Sequence, residues 1–169
     1  QYAEQYDEAL EHLAGAMDIA ERDHNSRAKI DINLSRADIL IAQKDYDTAR
    51  FVLEELRDDS KARHLNAPLA YSLCSLGVIE QAQGNLNLAR ELYEKARETA
   101  EKLNTDGASG RAAAHLGDIY LEQGNASYAV YLLEDAIVKL NRSGDRELLG
   151  YFLAKIGLAQ IASGHIDKG

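Results

Sequence analysis

The side chains best able to do chemistry are scattered along this 169-residue chain. His12, His24, His64, His115 and His165 do not form the close cluster that a metal site requires, and no cysteine pair accompanies them. Glu54-Glu55 and Asp58-Asp59 have the residue types of a general acid–base couple. Their helical setting makes them an outward, solvated charged face instead. Cys74 is the single thiol, so no internal disulfide can form, and its apolar neighbours suit a part-buried small side chain. Gly84-Asn85 and Gly124-Asn125 are not phosphate loops, because no G-x-x-x-x-G-K-[ST] run and no preceding strand occurs. Glu91 with Lys95, and Glu94 with Glu98 and Lys102, follow the spacing of surface charge on a helix. These groups point away from catalysis. The chain is expected to be no enzyme and to hold neither metal nor cofactor.

Charge and composition narrow the partners. The balance is 28 acidic against 19 basic residues, a net of −9, which argues against binding nucleic acid through clustered Lys and Arg. Hydrophobic residues make up 46% and charged residues 28%, enough apolar matter for a buried core. No stretch approaches the roughly twenty apolar residues of a bilayer span, so no membrane role is expected. The lone thiol is compatible with a reducing cytoplasm, and a cytoplasmic location is the expectation.

The elements that must position any site repeat themselves. Ala9, Ala49, Ala89, Ala129 and Gly169 recur every forty residues, each just after a turn. A fixed period of this length implies a stacked array, because one unit alone cannot bury its apolar face. First helices read Leu73-x-x-Leu76-Gly77-x-Ile79, Ala113-x-x-Leu116-Gly117-x-Ile119-Tyr120, Leu153-x-x-Ile156-Gly157 and Asn33-x-x-Arg36-Ala37-x-Ile39-Leu40. Second helices read Ala9-x-x-x-Leu13-x-x-Ala16, Ala49-x-x-x-Leu53-x-x-Leu56, Ala89-x-x-x-Tyr93-x-x-Ala96 and Ala129-x-x-x-Leu133-x-x-Ala136. Steps of three and four mark helical faces, and sustained strand alternation is absent, so the fold class is all-α. Gly77, Gly117 and Gly157 are expected where a second helix crosses closely, since an interior helical Gly costs about 1 kcal/mol unless packing demands it. Gly84 and Gly124 can end first helices in a left-handed conformation, Asn85 and Asn125 can cap second helices, and Pro68 sits at a helix start. The spacing predicts helices over 5–23, 27–42, 46–63, 67–83, 86–103, 108–123, 126–141 and 146–163.

These motifs resemble the tetratricopeptide repeat, W-x2-L-G-x2-Y…A-x3-F…P over about 34 residues. Leu116-Gly117-x-x-Tyr120 with Ala129-x-x-x-Leu133 and Ala136 carries the resemblance best, followed by Leu76-Gly77 with Ala89-x-x-x-Tyr93-x-x-Ala96. The chain departs from the pattern in having no Trp and in placing Glu21, Lys61, Glu101 and Asn141 where the closing Pro would stand. Forty-residue versions are similar to those of kinesin light chains, MalT-like regulators and Rap-type peptide sensors. The resemblance implies a right-handed solenoid of about eight helices in antiparallel pairs. In this frame 1–169 is one solenoid: a half-repeat at 1–24, repeats at 25–64, 65–104 and 105–144, and a half-repeat at 145–169. Both ends then cut the repeat in mid-unit, as expected of a piece of a longer protein.

The resemblance also implies where binding occurs, since first helices of such arrays line the concave surface. Successive positions there are Asp31, Tyr71, Arg111 and Tyr151, then Ser35, Ser75, His115 and Lys155, then Asp38, Val78, Asp118 and Leu158. Tyr71, Arg111, His115 and Tyr151 are the leading candidates for peptide contact, because Tyr and Arg combine contact area with hydrogen bonding. The clamp that some relatives use for chaperone-tail carboxylates needs Lys, Asn and Arg; here Leu34, Asp38, Ser75, Arg111 and His115 occupy those places, which disfavours it. The expected function is a scaffold segment that binds a protein or peptide in its groove. The alternative is a ligand-sensing segment of a larger bacterial signalling or transcription-regulator protein. Self-association through uncapped ends is a further expectation.

Overall fold

The computed structural model describes residues 2–102 and 104–162, and within them the chain is an all-α solenoid. Eight helices follow in order: α1 Tyr2–Arg22, α2 Ser26–Ala42, α3 Tyr46–Ala62, α4 Asn66–Ala82, α5 Leu86–Glu101, α6 Asp106–Glu122, α7 Ala126–Ser143 and α8 Arg146–Ala162. The boundaries lie within a few residues of the sequence expectation. Pro68 is the third residue of α4, where its missing N–H is still one that no helical carbonyl would accept.

The joints reveal a finer period than the sequence pattern. His24, Lys44, His64, Gly84, Asn104, Gly124 and Gly144 all have positive φ, between 52° and 83°, and each follows the last by twenty residues. After each, the next N–H returns to a carbonyl five residues back, as in Asn25 to Ala20 at 2.8 Å, Leu65 to Ser60 at 2.7 Å and Asn125 to Tyr120 at 2.8 Å. This is the Schellman closure of a helix C-terminus. Every helix-to-helix connection therefore uses one turn type, whether it falls within a pair or between pairs. Only the packing alternates with the forty-residue period. Asn25, Asp45, Asn125 and Asp145 cap the following helices by accepting from Ala28, Thr48, Tyr128 and Leu148 N–H groups. Asn85 does not cap α5 as expected; its amide donates to Glu80 at 2.8 Å, a better partner because the carboxylate is buried and charged.

Small residues set the helix spacing. Ala49, Ala89 and Ala129 are fully buried at the crossings. A Cβ at Gly77 would stand 2.6 Å from Tyr93 Cε1, and one at Gly117 would stand 2.7 Å from Leu133 Cγ. Those two glycines behave as the pattern requires. Gly157 does not: a Cβ there would meet nothing within 4 Å, and the residues following α8 lie outside the described ones, as do Gly164, His165 and Gly169. The face of α6 against α7 is built from Gly110, Ala113, Ala114 and Gly117, which lets the two backbones approach closely.

The layers follow from which backbones meet. Cα atoms of α2 and α4, α4 and α6, and α6 and α8 come within 8 Å of each other, while α1, α3, α5 and α7 approach only their neighbours in the chain. The even-numbered helices thus form the short inner arc, and the odd-numbered helices splay apart outside.

Candidate functional site: the inner helical face

The inner face gathers residues from α2, α4, α6 and α8 that lie far apart in sequence. A cavity of about 320 Å³ is bordered by Asp31, Leu34, Ser35 and Asp38 of α2, Tyr71 and Ser75 of α4, and Arg27 and Arg111. A smaller one of about 100 Å³ adjoins it, sharing Asp38, Tyr71, Ser75 and Arg111 and adding Ile41, Cys74, Val78, His115 and Leu148. Helical spacing explains the grouping: Asp31, Ser35 and Asp38 fall on one stripe of α2, as Tyr71, Ser75 and Val78 do on α4.

Arg111 is the centre of this region, and it is not a free cation. Its Nε and Nη2 donate to Asp145 Oδ2 at 2.9 and 2.8 Å, and its Nη1 lies 4.0 Å from Asp38 Oδ2. The guanidinium also sits 5.7 Å from the Tyr71 ring centroid, within cation–π range. Burial works against the charge, but Asp145 outweighs it and holds the pKa above the ordinary arginine value. Asp145 has two roles, because its other oxygen caps α8 through Leu148 N–H at 3.3 Å. Burial also pushes the Tyr71 hydroxyl up and the Cys74 thiol up to about 12, so Cys74 supplies no thiolate near neutrality. Cys74 is buried outright, where part-burial was expected.

His115 lies inside the wall of the groove. It stacks on Tyr93 with centroids 5.0 Å apart and meets the edge of Phe152 at 5.5 Å. Burial first, then Arg111 and Lys155, push its pKa down to about 4. A neutral, sandwiched imidazole is a packing element that also lines the smaller cavity. Further along, Lys155 Nζ approaches the buried Asp118 at 3.3 Å and lies 5.3 Å from the Tyr151 ring centroid. Burial raises the Asp118 pKa against the pull of Lys155. Tyr151 is 51% exposed, the most open aromatic on this face. Asp31 is paired with Arg27 at 3.1 Å, and the Ser35 hydroxyl donates to the Asp31 carbonyl at 3.0 Å.

Seven expected residues, Asp31, Ser35, Asp38, Tyr71, Ser75, Arg111 and His115, thus border the two cavities. Asp118, Tyr151 and Lys155 form a separate cluster across α6 and α8, and the Leu158 side chain lies outside the described residues. Sequence reasoning missed Asp145, Tyr93 and Phe152. Asp145 is visible only as a cap, and its 34-residue separation from Arg111 leaves no local signature. Among the described residues, no group of three or more His, Cys, Asp or Glu is gathered as metal ligands would be, and no helix is long and apolar enough to cross a membrane.

An all-α array whose alternate helices line a groove is a helical-repeat solenoid. The tetratricopeptide repeat family model matches residues 68–137, from within α4 into α7, which supports a repeat of this type over that stretch. Such repeats generally mediate protein–protein interaction and form a non-catalytic scaffold. Among solved structures, BtubC (BKLC) from P. vanneervenii is similar, with a TM-score of 0.69 over 96% of this chain and 67% of that one. At 15% identity the likeness concerns the fold. No curated protein matches the sequence.

Proposed function

We propose that the chain is a protein-interaction segment that receives an extended peptide along the inner face of α2, α4, α6 and α8, without catalysis of its own. The observation that carries this reading is the pair of adjoining cavities that Asp38, Tyr71, Ser75 and Arg111 share. Their walls are already fixed: Asp145 and the Tyr71 ring hold Arg111, and helix caps hold the turns, so docking orders few side chains. Asp38 and Asp145 neutralise Arg111, which disfavours a carboxylate ligand and favours peptide amides and uncharged or basic side chains. Tyr151 supplies an exposed anchor at the far end of the groove. In this reading residues 1–169 act as one solenoid, with repeats at 25–64, 65–104 and 105–144 between half-repeats.

The test is selection of peptides from a random display library against the whole chain, followed by binding measurements on variants. Tyr71→Ala/Arg111→Ala/Tyr151→Ala should abolish binding. Because Arg111 also braces α8, Ser35→Arg serves as the companion: it crowds the groove from an exposed site and removes only a local hydroxyl bond. Lost binding with an unchanged melting temperature in Ser35→Arg supports the groove. Full binding by both variants rejects it.

A further inference from the structure

The outer surface holds a second recess with a different chemistry. The backbones of α5 and α7 stay more than 8 Å apart, exposing part of α6 between them. The resulting slot, about 260 Å³, has Leu116 and Tyr120 of α6 in its lining, Tyr128 on the α7 side, and Glu94, Glu98, Glu101 and the internally paired Arg97 on the α5 side. Tyr120 and Tyr128 meet edge to face at 4.7 Å, and Tyr131 continues the row, stacked 5.9 Å from Tyr128. Tyr128 and Tyr131 are 41% and 56% exposed, so aromatic surface is left open to solvent.

The cations nearby are committed to internal partners. Arg97 binds Glu101 at 2.9 Å and Asp135 at 3.3 Å, and Lys139 binds the same two acids at 3.1 and 2.8 Å. Glu94 and Glu98 face Arg90 at 3.9 Å and Lys102 at 3.0 Å across solvent-exposed helix pairs, which exchange readily for another cation.

The repeat supplies its own comparison. Forty residues earlier, between α3 and α5, the places of Tyr120, Tyr128 and Tyr131 are taken by Glu80, Leu88 and Glu91. There Glu80 is buried and bonded to Arg50 and Asn85, so that slot is closed by the chain's own arginine. Between α5 and α7 the buried carboxylate is replaced by an aromatic ring, while Glu94 and Glu98 keep the rim acids that Glu54 and Asp58 supply on α3.

We propose that the slot between α5 and α7 is a second docking site, taking a lysine or arginine side chain from a basic protein segment. The alkyl stem lies along the exposed Tyr128 ring, the charged head meets the Tyr120 and Tyr128 rings, and Glu94 and Glu98 provide the counter-charge. The chain's net charge of −9 draws such a segment in from a distance.

The experiment is an NMR titration of the isotopically labelled chain with a blocked peptide of alternating glycine and lysine, with the glutamate version as control. Saturable shifts centred on the amides around Glu94, Glu98 and Tyr128 are expected, with none from the glutamate peptide. Tyr128→Ala/Tyr131→Ala, at exposed positions, should weaken binding about fivefold while leaving the remaining spectrum folded. Glu94→Gln/Glu98→Gln should weaken it and flatten its salt dependence. Equal affinity in the tyrosine variant would reduce the effect to diffuse charge attraction and overturn the proposal. Shifts confined to α2 and α4, or no shifts, would overturn it as well. Concentration-dependent self-association that the tyrosine variant abolishes would overturn it by assigning the slot to a second copy of the chain.

Discussion

Gly77→Ala tests the packing logic of the whole array. The added Cβ would stand 2.6 and 2.8 Å from Tyr93 Cε1 and Cδ1, against a comfortable carbon–carbon separation of about 3.5–4.0 Å. The ring must retreat by roughly an ångström. It is poorly free to do so: Tyr93 is fully buried, stacked 5.0 Å from His115, and its hydroxyl donates to Gln81 at 2.9 Å. Overpacking of this kind costs about 1–3 kcal/mol. Helix propensity returns about 1 kcal/mol when Ala replaces an interior Gly. The net expectation is a loss of about 0–2 kcal/mol, against the gain expected where an added Cβ meets nothing. Gly15 supplies the control: it is exposed within α1, and a Cβ added there would meet nothing within 4 Å, so Gly15→Ala should gain about 1 kcal/mol. Because each unit of an array contacts mainly its neighbours, the loss should concentrate in α4 and α5. Urea denaturation followed by helical circular dichroism measures the total, and native-state hydrogen exchange locates it. A Gly77→Ala protein as stable as Gly15→Ala would refute the close-approach account.

Three further outcomes follow from the same geometry. Lys44→Gly and His64→Gly replace residues held at φ 63° and 55°, and each should raise stability by about 0.5–1 kcal/mol in urea titrations, left-handed strain outweighing the added freedom of the unfolded chain. His115 has its folded pKa pushed down to about 4 from 6.5, so its contribution is complete above the unfolded value and is lost as pH falls through 6.5 toward 4. That loss is on the order of 3 kcal/mol, partly offset by Asp118, whose raised pKa favours the folded state on acidification; comparing wild type with His115→Gln at neutral and acid pH isolates the histidine. Arg111→Ala should cost about 2 kcal/mol and raise hydrogen exchange at the start of α8, since Asp145 loses its charged partner.

The fold was largely readable from sequence because the small residues carry a steric meaning that position alone exposes. Ala49, Ala89, Ala129, Gly77 and Gly117 mark helix crossings, and their period fixes the stacking. The twenty-residue identity of the turns was not readable, since His24, Lys44, His64 and Asn104 share a left-handed conformation without sharing chemistry. The groove was legible as a set of positions and not as a set of states. Arg111 looked like an available cation, yet Asp145 sits beside it from the next joint; His115 looked like a contact residue, yet Tyr93 and Phe152 enclose it from two other helices. Such partners arise from helix packing across tens of residues, which periodicity locates only approximately.

The inner face as the recognition surface is tested most directly by photocrosslinking with a display-selected peptide. A photoreactive amino acid would be placed at Ser35 or Ser75 inside the groove, and at Glu55 or Asp58 on the outer helix α3. The account predicts covalent capture of the peptide from Ser35 and Ser75 and none from Glu55 or Asp58. Capture from the outer positions alone would contradict it.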